Sequence, residues 1–295
     1  MIVLSARDQH TVMGVTCRVE VDAINAPQLV DDAFSQLREL EALWSRFVPT
    51  SDISRLNNAN GMATHVDHRT VSLVATMKAA MAYTRGAFNP TRLPEQIALG
   101  DSRSLTSNNV TTLPANATTF LSMDDVRVEP NGTVQLPLGM TLDAGGIGKG
   151  FAADLVATAL LSRGAQSVCV NVGGDIRVSS QPNHPRSWGV EVLSPIDDSV
   201  LSVVSLRDGA IATSARSARL RDDHGVDNHI QGAHHTIAGV SVLASTGAWA
   251  EAWTKFLMAT PDGLPELESH GLAGFIVFTD GSTHATSTWK DFTEC

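Results

Sequence analysis

The chain has 295 residues, of which 43% are hydrophobic and 18% are charged. This balance is typical of a folded globular protein and excludes an intrinsically disordered one. The 31 acidic residues outnumber the 21 basic ones, which gives a formal net charge of −10 at pH 7. Such a charge argues against a nucleic acid or an anionic membrane as partner, so any phosphate-binding site must be a local feature.

Targeting signals and cysteine spacing narrow the class of protein further. No apolar run reaches the length of a membrane span, and residues 1–8 lack the apolar region of a secretion signal. If the start is complete, we expect a cytoplasmic protein without a membrane span. The cysteines Cys17, Cys169 and Cys295 are odd in number and have no metal-type spacing. They therefore indicate neither a disulfide framework nor a zinc site.

The first part of the chain shows one strand pattern and two helix patterns. Residues 16–21 alternate like a strand, and apolar residues from 30 to 47 recur at three- and four-residue steps, as on one face of a helix. A second helix is predicted to start after Asp67, an N-cap residue, and to stop at Gly86. Residues 101–120 are rich in Ser, Thr and Asn, which predicts a surface loop.

The second part of the chain contains more strands. A helix is predicted from Phe151 to Gly164, and the other predicted elements are a helix at 248–259 and strands at 167–172, 188–193, 200–206, 211–213, 240–244 and 274–278. Helices and strands are partly segregated and the composition does not change along the chain. We therefore predict a single α+β domain over residues 1–295, with a mixed, mostly antiparallel sheet and packed helices.

A glycine-rich stretch lies between a short apolar segment and a predicted helix. Residues 141–154 contain four glycines and Lys149. Glycines let main-chain amides approach an anion, and the first turn of a helix offers unpaired donors at the positive end of its dipole. This stretch therefore predicts a site for a ligand that carries phosphates.

Three more specific interpretations of this loop can be compared. The first, a Walker A loop, does not fit, because Asp143 stands where that motif needs glycine and Gly150 stands where it needs a hydroxyl. Residues 148–153 fit the looser dinucleotide fingerprint, and Asp175 lies near the distance of a ribose-binding acid. The strand that this fingerprint requires is represented only by residues 140–142. A plain turn that joins a strand to a helix is the third interpretation.

Six short motifs follow one another in a specific order. They are Met13-Gly14, residues 47–57, residues 86–91, residues 143–154, residues 171–176 and residues 212–214. Together they resemble the ApbE family of FAD:protein FMN transferases, almost from end to end. The resemblance implies a T-fold-related α+β domain that binds FAD and Mg²⁺. It also implies that FMN moves to a Thr or Ser hydroxyl of an acceptor flavoprotein through a phosphoester bond, with release of AMP.

The resemblance also implies which residues form the site. Catalytic roles fall to Lys149, Asp154 and His229. The FAD-binding residues would be Met13, Asn57, Phe88, Asn89, Thr91, Gly145, Gly146, Lys149, Gly174, Asp175, Ser214, His229 and Ile230. Simpler interpretations stay open, because Asp175 also suits a turn, Asp154 also suits the positive end of a helix dipole, and His229 also suits a solvated loop.

The implied metal site departs from the family pattern. The resemblance assigns Mg²⁺ to the carbonyl of Gly146 and to the side chains of Glu251 and Thr254, but Lys255 stands where the family has the ligating threonine. Either Thr254 is recruited, or the Lys255 ammonium occupies the place of the ion. Asn89 likewise replaces an aspartate. Two other functions therefore stay open: a non-catalytic or weakly hydrolytic FAD-binding relative, such as a FAD pyrophosphatase, and a dinucleotide-dependent oxidoreductase.

Overall fold

The computed structural model describes residues 2–104, 108–184, 186–216 and 232–293. The strands in these residues are β1 (Leu4–Val12), β2 (Val15–Ala23), β3 (Thr64–His65), β4 (Arg127–Val128), β5 (Thr133–Gln135), β6 (Ser167–Val172), β7 (Asp175–Ser180), β8 (Trp188–Leu193), β9 (Val200–Leu206), β10 (Gly209–Ala215), β11 (Ile237–Ala244), β12 (Ala273–Phe278) and β13 (Thr283–Ala285). The α-helices are α1 (Ala26–Trp44), α2 (Asp52–Asn57), α3 (His68–Tyr83), α4 (Leu93–Ala98), α5 (Gly148–Ser162), α6 (Gly247–Ala259) and α7 (Leu264–Ser269). A 3-10 helix covers Ser287–Phe292.

An eight-stranded sheet organises the fold. Its strand order is β1-β2-β6-β7-β10-β11-β12-β13, and each neighbouring pair is antiparallel. Strands β3, β5 and β4 form a small second sheet, and β8 pairs with β9 in a hairpin. The predicted α+β class with a mostly antiparallel sheet is confirmed. Among the described helices, none has the length and apolarity needed to cross a membrane.

Helices α1, α5 and α6 cover one face of the large sheet. Strand β2 directs Cys17, Val19 and Val21 into the core beneath them, because side chains of a strand alternate between its two faces. Trp188 of the β8–β9 hairpin and Trp289 of the 3-10 helix are buried in a second cluster with residues of β7, β10 and β12. The sheet is therefore covered by helices on one face and by a hairpin on the other.

Most predicted elements are confirmed, because their signals are local. Helix α1 buries its apolar stripe, and the side chain of Asp67 caps α3 by accepting a hydrogen bond from Arg69 N. The predicted run of strands over 188–213 is divided between two sheets, since β8 and β9 form their own hairpin while β10 lies between β7 and β11. Residues 140–142 form no named strand, and β6 pairs only antiparallel with its neighbours. The parallel β-α-β unit that an NAD-type dinucleotide site requires is thus missing around α5 in the described residues.

Candidate functional site

Helices α5 and α6 approach each other through two glycines. A Cβ on Gly150 would lie 2.2 Å from the carbonyl oxygen of Gly247, and a Cβ on Gly247 would lie 2.5 Å from the carbonyl oxygen of Gly150. No side chain fits between the two backbones at these distances. This contact brings the first turn of α6 next to the glycine-rich loop that precedes α5.

Asp154 fixes the start of α6. Its Oδ1 accepts a hydrogen bond from Gly247 N at 2.7 Å and its Oδ2 accepts one from Ala248 N at 3.0 Å. Burial raises the pKa of Asp154 to about 6, although these amides and the nearby Arg177 guanidinium act in the opposite direction. Asp154 does not line the cavity described below. Its contacts are those of a residue that positions α6, and its predicted catalytic role stays a prediction.

Lys149 lies between two buried carboxylates. Its Nζ donates to Asp175 Oδ2 and, at 2.6 Å, to Glu251 Oε1. The other oxygen of Glu251 accepts a hydrogen bond from Gly150 N at 2.9 Å. Burial alone would lower the pKa of Lys149, but the two carboxylates outweigh it and hold that pKa above its usual range. Burial raises the pKa of Asp175 even though Lys149 opposes it.

A second ammonium group lies one turn further along α6. Lys255 Nζ donates to Ser214 Oγ at 3.0 Å, to Thr254 Oγ1 at 3.1 Å and to the carbonyl oxygen of Glu251 at 3.4 Å. The hydroxyl groups of Ser214 and Thr254 are 2.7 Å apart. Burial lowers the pKa of Lys255, while the Glu251 carboxylate opposes that shift. Lys149, Asp175, Glu251 and Lys255 are called the site cluster below.

Two amides of the glycine-rich loop already donate hydrogen bonds within the protein. Gly148 N donates to Ala144 O at 2.7 Å, Gly150 N donates to Glu251, and both glycines are buried. The expectation that these amides face a ligand is therefore not met. Gly145 is exposed and Gly146 is half-buried, and both line a cavity. Positive charge at this cavity thus comes from the lysines more than from the helix N-terminus.

The cavity beside the loop, called the loop cavity, has a volume of about 460 Å³. This size is typical of a small-molecule site. Residues 143–146, Lys149 and Lys255 form one wall, and residues 87–90 form another. Five basic residues line it against three acidic ones: Arg46, Arg92, Arg103, Lys149 and Lys255 against Glu41, Asp101 and Asp143. The lining thus carries two more basic than acidic side chains in a protein with a net charge of −10, while Asp175 and Glu251 behind it pair with Lys149.

The sequence model of the ApbE family matches residues 13–276 of this chain. The chain belongs to the ApbE family. Within it, a FAD:protein FMN transferase of Treponema pallidum is 28% identical over 94% of this chain and 85% of its own length. A FAD:protein FMN transferase of Escherichia coli K12 is 23% identical over 90% of this chain and 81% of its own length.

Solved structures support the same fold. The ApbE protein of Thermotoga maritima is 23% identical and superposes with a TM-score of 0.84, covering 99% of this chain and 100% of its own. The apo flavinyl transferase ApbE of Pseudomonas stutzeri is also 23% identical, has a TM-score of 0.78 and covers 99% and 97% of the two chains. At this level of identity the structural likeness establishes the fold alone.

The residues that the family resemblance assigns to FAD divide into three groups. Six of them line the loop cavity: Met13, Phe88, Asn89, Gly145, Gly146 and Lys149. Two lie behind its wall. Asn57 Nδ2 donates to Leu142 O at 2.9 Å and its Oδ1 accepts from Leu142 N at 2.7 Å, while the buried Thr91 hydroxyl contacts the backbone of Phe120 and the side chain of Asn89. Asn57 and Thr91 are thus placed to hold the wall in position.

The remaining assigned residues lie elsewhere. Gly174 is exposed in the turn between β6 and β7, with a φ of +100°, and its amide donates to Asn171 Oδ1 at 2.8 Å. Asp175 begins β7 and reaches Lys149, and Ser214 on β10 reaches Lys255. His229 and Ile230 lie outside the described residues, so their assigned roles stay predictions.

Arg46 is a cavity residue that the sequence interpretation missed. Its guanidinium donates to Asp101 Oδ2 and to Asp101 O, both at 2.8 Å, and its Nε lies 3.4 Å from Asp143 Oδ1. The sequence signal that could have indicated Arg46 is weak: it is a single arginine that follows the end of the apolar face of α1 at Trp44. Its partners are distant in sequence, and residues 101–120 read as a surface loop although Asp101 and Arg103 line the cavity.

The two side chains predicted to bind Mg²⁺, those of Glu251 and Thr254, do not fit that ion as they are arranged here. Both carboxylate oxygens of Glu251 already accept hydrogen bonds, and the Thr254 hydroxyl contacts Ser214, Lys255 and the carbonyl oxygen of Glu251. Mg²⁺ requires oxygen ligands in a near-octahedral arrangement and does not tolerate an ammonium group among them. Of the two possibilities left open by the sequence, the geometry favours the ammonium.

Proposed function

We propose that this protein is a FAD:protein FMN transferase, which moves FMN from FAD to a Thr or Ser hydroxyl of an acceptor flavoprotein and releases AMP. The supporting observation is the convergence of Lys149, Lys255 and the turn at Gly145 and Gly146 on one cavity of about 460 Å³. Relatives with the same family assignment and near full-length coverage carry this name. FAD and the acceptor flavoprotein would be its partners.

The proposed reaction is a phosphoryl transfer. The acceptor hydroxyl oxygen forms a bond to the FMN phosphorus, while the bond between that phosphorus and the oxygen bridging the two phosphates breaks. AMP leaves with the bridging oxygen, and the hydroxyl proton passes to a base. In the proposed reaction the protein contributes mainly by positioning the reactants and by stabilising charge on the phosphate oxygens, a role that we assign to the ammonium groups of Lys149 and Lys255.

The surrounding residues hold these groups in place. Asp175 and Glu251 orient Lys149, and Asp154 holds the start of α6, the helix that carries Lys255. Phe88, which is buried and packs against Gly146, adds an apolar part to the lining of the cavity. We assign the proton-accepting role to His229, on the resemblance to the family, since a histidine titrates near neutral pH.

A second candidate function is FAD binding with no transfer, or with slow hydrolysis to FMN and AMP. Asn89 favours it, because its neutral side chain replaces the aspartate of the family and is held by Phe120 O and Thr91. Lys255 also favours this second candidate, because it puts a positive charge where the family has a neutral threonine. The dinucleotide-dependent oxidoreductase receives no support from the antiparallel pairing of β6.

One experiment separates these functions. The full chain is incubated with FAD and a flavoprotein that serves as acceptor for the Escherichia coli relative, in parallel with Mg²⁺ and with EDTA, and the denatured acceptor is measured by mass spectrometry and by flavin fluorescence. The transferase produces a covalent adduct of one FMN together with an equal amount of AMP. Release of FMN and AMP with an unmodified acceptor identifies the hydrolase, and bound but intact FAD identifies the non-catalytic relative. Either of the last two results contradicts the proposal.

A further inference from the structure

The Lys255 ammonium lies in a small pocket of oxygen atoms. The hydroxyl groups of Ser214 and Thr254 and the carbonyl oxygen of Glu251 approach it at 3.0, 3.1 and 3.4 Å. Hydroxyl and carbonyl oxygens are also ligands that a hard divalent cation prefers. One of these oxygen atoms, the Thr254 hydroxyl, is also a ligand that the family resemblance assigns to the metal, and here it contacts the ammonium group.

Space at this position is also taken by the lysine stem. A Cβ built on Gly146 would lie 3.6 Å from Lys255 Cε, so the end of this side chain runs past the loop residue whose carbonyl the family resemblance assigns to the metal. Lys255 and Gly146 both line the loop cavity. The lysine thus places its charge at the cavity wall, on the side where the loop and α6 meet.

The charges of the site cluster are balanced with Lys255 and unbalanced without it. Lys149 and Lys255 carry two positive charges, and Asp175 and Glu251 carry two negative ones. A neutral residue at position 255 would leave one excess negative charge, which a divalent cation would reverse. With Lys255 in place, a divalent cation would add two positive charges to a neutral cluster and would lie beside an ammonium group, which costs free energy through Coulomb repulsion.

We propose that the Lys255 ammonium takes the place of the divalent cation in this protein, so that it binds and cleaves FAD without Mg²⁺. This inference rests on the proposed function for its reaction but not for its binding step. A phosphate oxygen of FAD would accept a hydrogen bond from Lys255 Nζ in exchange for the longest of its contacts, the one to the carbonyl oxygen of Glu251. A lysine ammonium has three donors and acts as a compact point charge, which suits a diphosphate.

FAD binding with and without metal tests the proposal directly. The dissociation constant for FAD is measured by flavin fluorescence in EDTA and in excess Mg²⁺, for the wild type and three variants. For the wild type we expect the two values to agree within about threefold. Lys255→Thr, which is neutral but offers an oxygen ligand, should bind at least about tenfold more weakly in EDTA and recover in Mg²⁺. Lys255→Met, which offers no oxygen, should bind weakly in both.

Lys290→Thr serves as the matched control, because Lys290 is exposed and does not line the loop cavity. It should match the wild type in both buffers. The proposal is overturned if wild-type FAD binding weakens at least about tenfold in EDTA, or if Lys255→Thr binds FAD as tightly as the wild type in EDTA.

A second readout separates this proposal from the proposed function. Binding of Mn²⁺ alone is followed by electron paramagnetic resonance, without FAD. The wild type should bind no Mn²⁺ at this site, and a stoichiometric Mn²⁺ ion that is lost in Glu251→Ala would contradict the proposal. If the acceptor stays unmodified while wild-type FAD binding is unchanged by EDTA, the transferase function fails and the metal-free binding stands. If transfer occurs but only with Mg²⁺, the function stands and this inference fails.

Discussion

Two charged clusters in this protein have a similar composition and an opposite character. The site cluster lies between α5, α6 and β7 beside the loop cavity. The second, called the edge cluster, consists of Glu20, Asp22, Ser167 and Arg186 around β2 and β6. Arg186 donates to both oxygens of Asp22 at 2.9 and 2.8 Å and to Glu20 at 2.6 Å, and its guanidinium lies 3.7 Å from the ring centre of Trp188.

The pKa values of one aspartate in each cluster, Asp22 and Asp175, shift in opposite directions. Burial alone would raise the pKa of Asp22, but hydrogen bonds from Ser167 and Arg186 outweigh it and the pKa is lowered. In the site cluster, burial outweighs Lys149 and the pKa of Asp175 is raised. In the edge cluster the partners of Asp22 thus outweigh its burial, while in the site cluster Asp175 is an unfavourable buried carboxylate beside an open cavity. Such an imbalance is typical of a binding or catalytic site.

Removing Lys149 should have the largest effect. Lys149→Met leaves Asp175 and Glu251 buried without their cation, which should lower the free energy of unfolding by about 3–5 kcal/mol. Loss of its charge at the phosphates should reduce FMN transfer at least about 100-fold. Urea titration and the rate of acceptor labelling measure the two effects. Lys290→Met is the control, and equal rates for the two variants would contradict the role of Lys149.

The site cluster also depends on the close approach of α5 and α6. Gly150→Ala would place a Cβ 2.2 Å from Gly247 O, so the helices must separate, and we expect a loss of at least about 3 kcal/mol in the free energy of unfolding. Gly189→Ala is the matched control, because its Cβ would meet only Val203 Cγ1, at 3.9 Å. Thermal denaturation of both variants decides the point, and similar midpoints would show that this contact is not tight.

The pH dependence of stability should separate the two environments. Burial raises the folded-state pKa of Asp154 from 3.8 to about 6, so its ionisation costs more in the folded state than in the unfolded one. Its contribution to stability should therefore fall as the pH rises from about 4 to about 6, by at most about 3 kcal/mol. Relative to Asp154→Asn, the wild type should lose stability over this range.

For Asp22 we expect a pH dependence of stability with the opposite sign. Its pKa is lowered in the folded state, so its contribution is present above its ordinary pKa and is lost as the pH falls below it. Relative to Asp22→Asn, the wild type should lose stability on acidification below about pH 4. Denaturant titrations at a series of pH values measure both variants, and the same sign for Asp154 and Asp22 would contradict the comparison.

Arg186→Met should have the smallest effect of this series. Its side chain is 32% exposed, so we expect a loss of about 1–2 kcal/mol, less than for a fully buried pair. FAD affinity and the rate of transfer should stay at wild-type values, because Arg186 does not line the loop cavity. A reduced affinity for FAD in this variant would show that the edge cluster is not purely structural.

Local patterns explain why so much of the fold was predictable. The stripe of α1, the Asp67 cap of α3 and the alternation of β2 all depend on neighbouring residues, and the short motifs identified the loop at 143–150. The partition of strands between the large sheet and the β8–β9 hairpin depends on long-range pairing, which periodicity does not encode.

The site was predicted less completely for the same reason. Asn57 reads as a ligand-binding residue in its motif, yet its amide holds Leu142, 85 residues away. Arg46 donates a hydrogen bond to Asp101, which lies 55 residues away in the sequence. Gly150 N donates a hydrogen bond to Glu251, which lies 101 residues away in the sequence. No local pattern therefore shows that this amide already has an acceptor.

A crystal structure of the protein with FAD, grown in EDTA, tests the central claim most directly. We predict that the diphosphate lies in the loop cavity beside Gly145 and Gly146, with Lys149 Nζ or Lys255 Nζ about 3 Å from a phosphate oxygen. A diphosphate bound elsewhere, or a nucleotide held at this loop with both ammonium groups turned away from it, would contradict the claim.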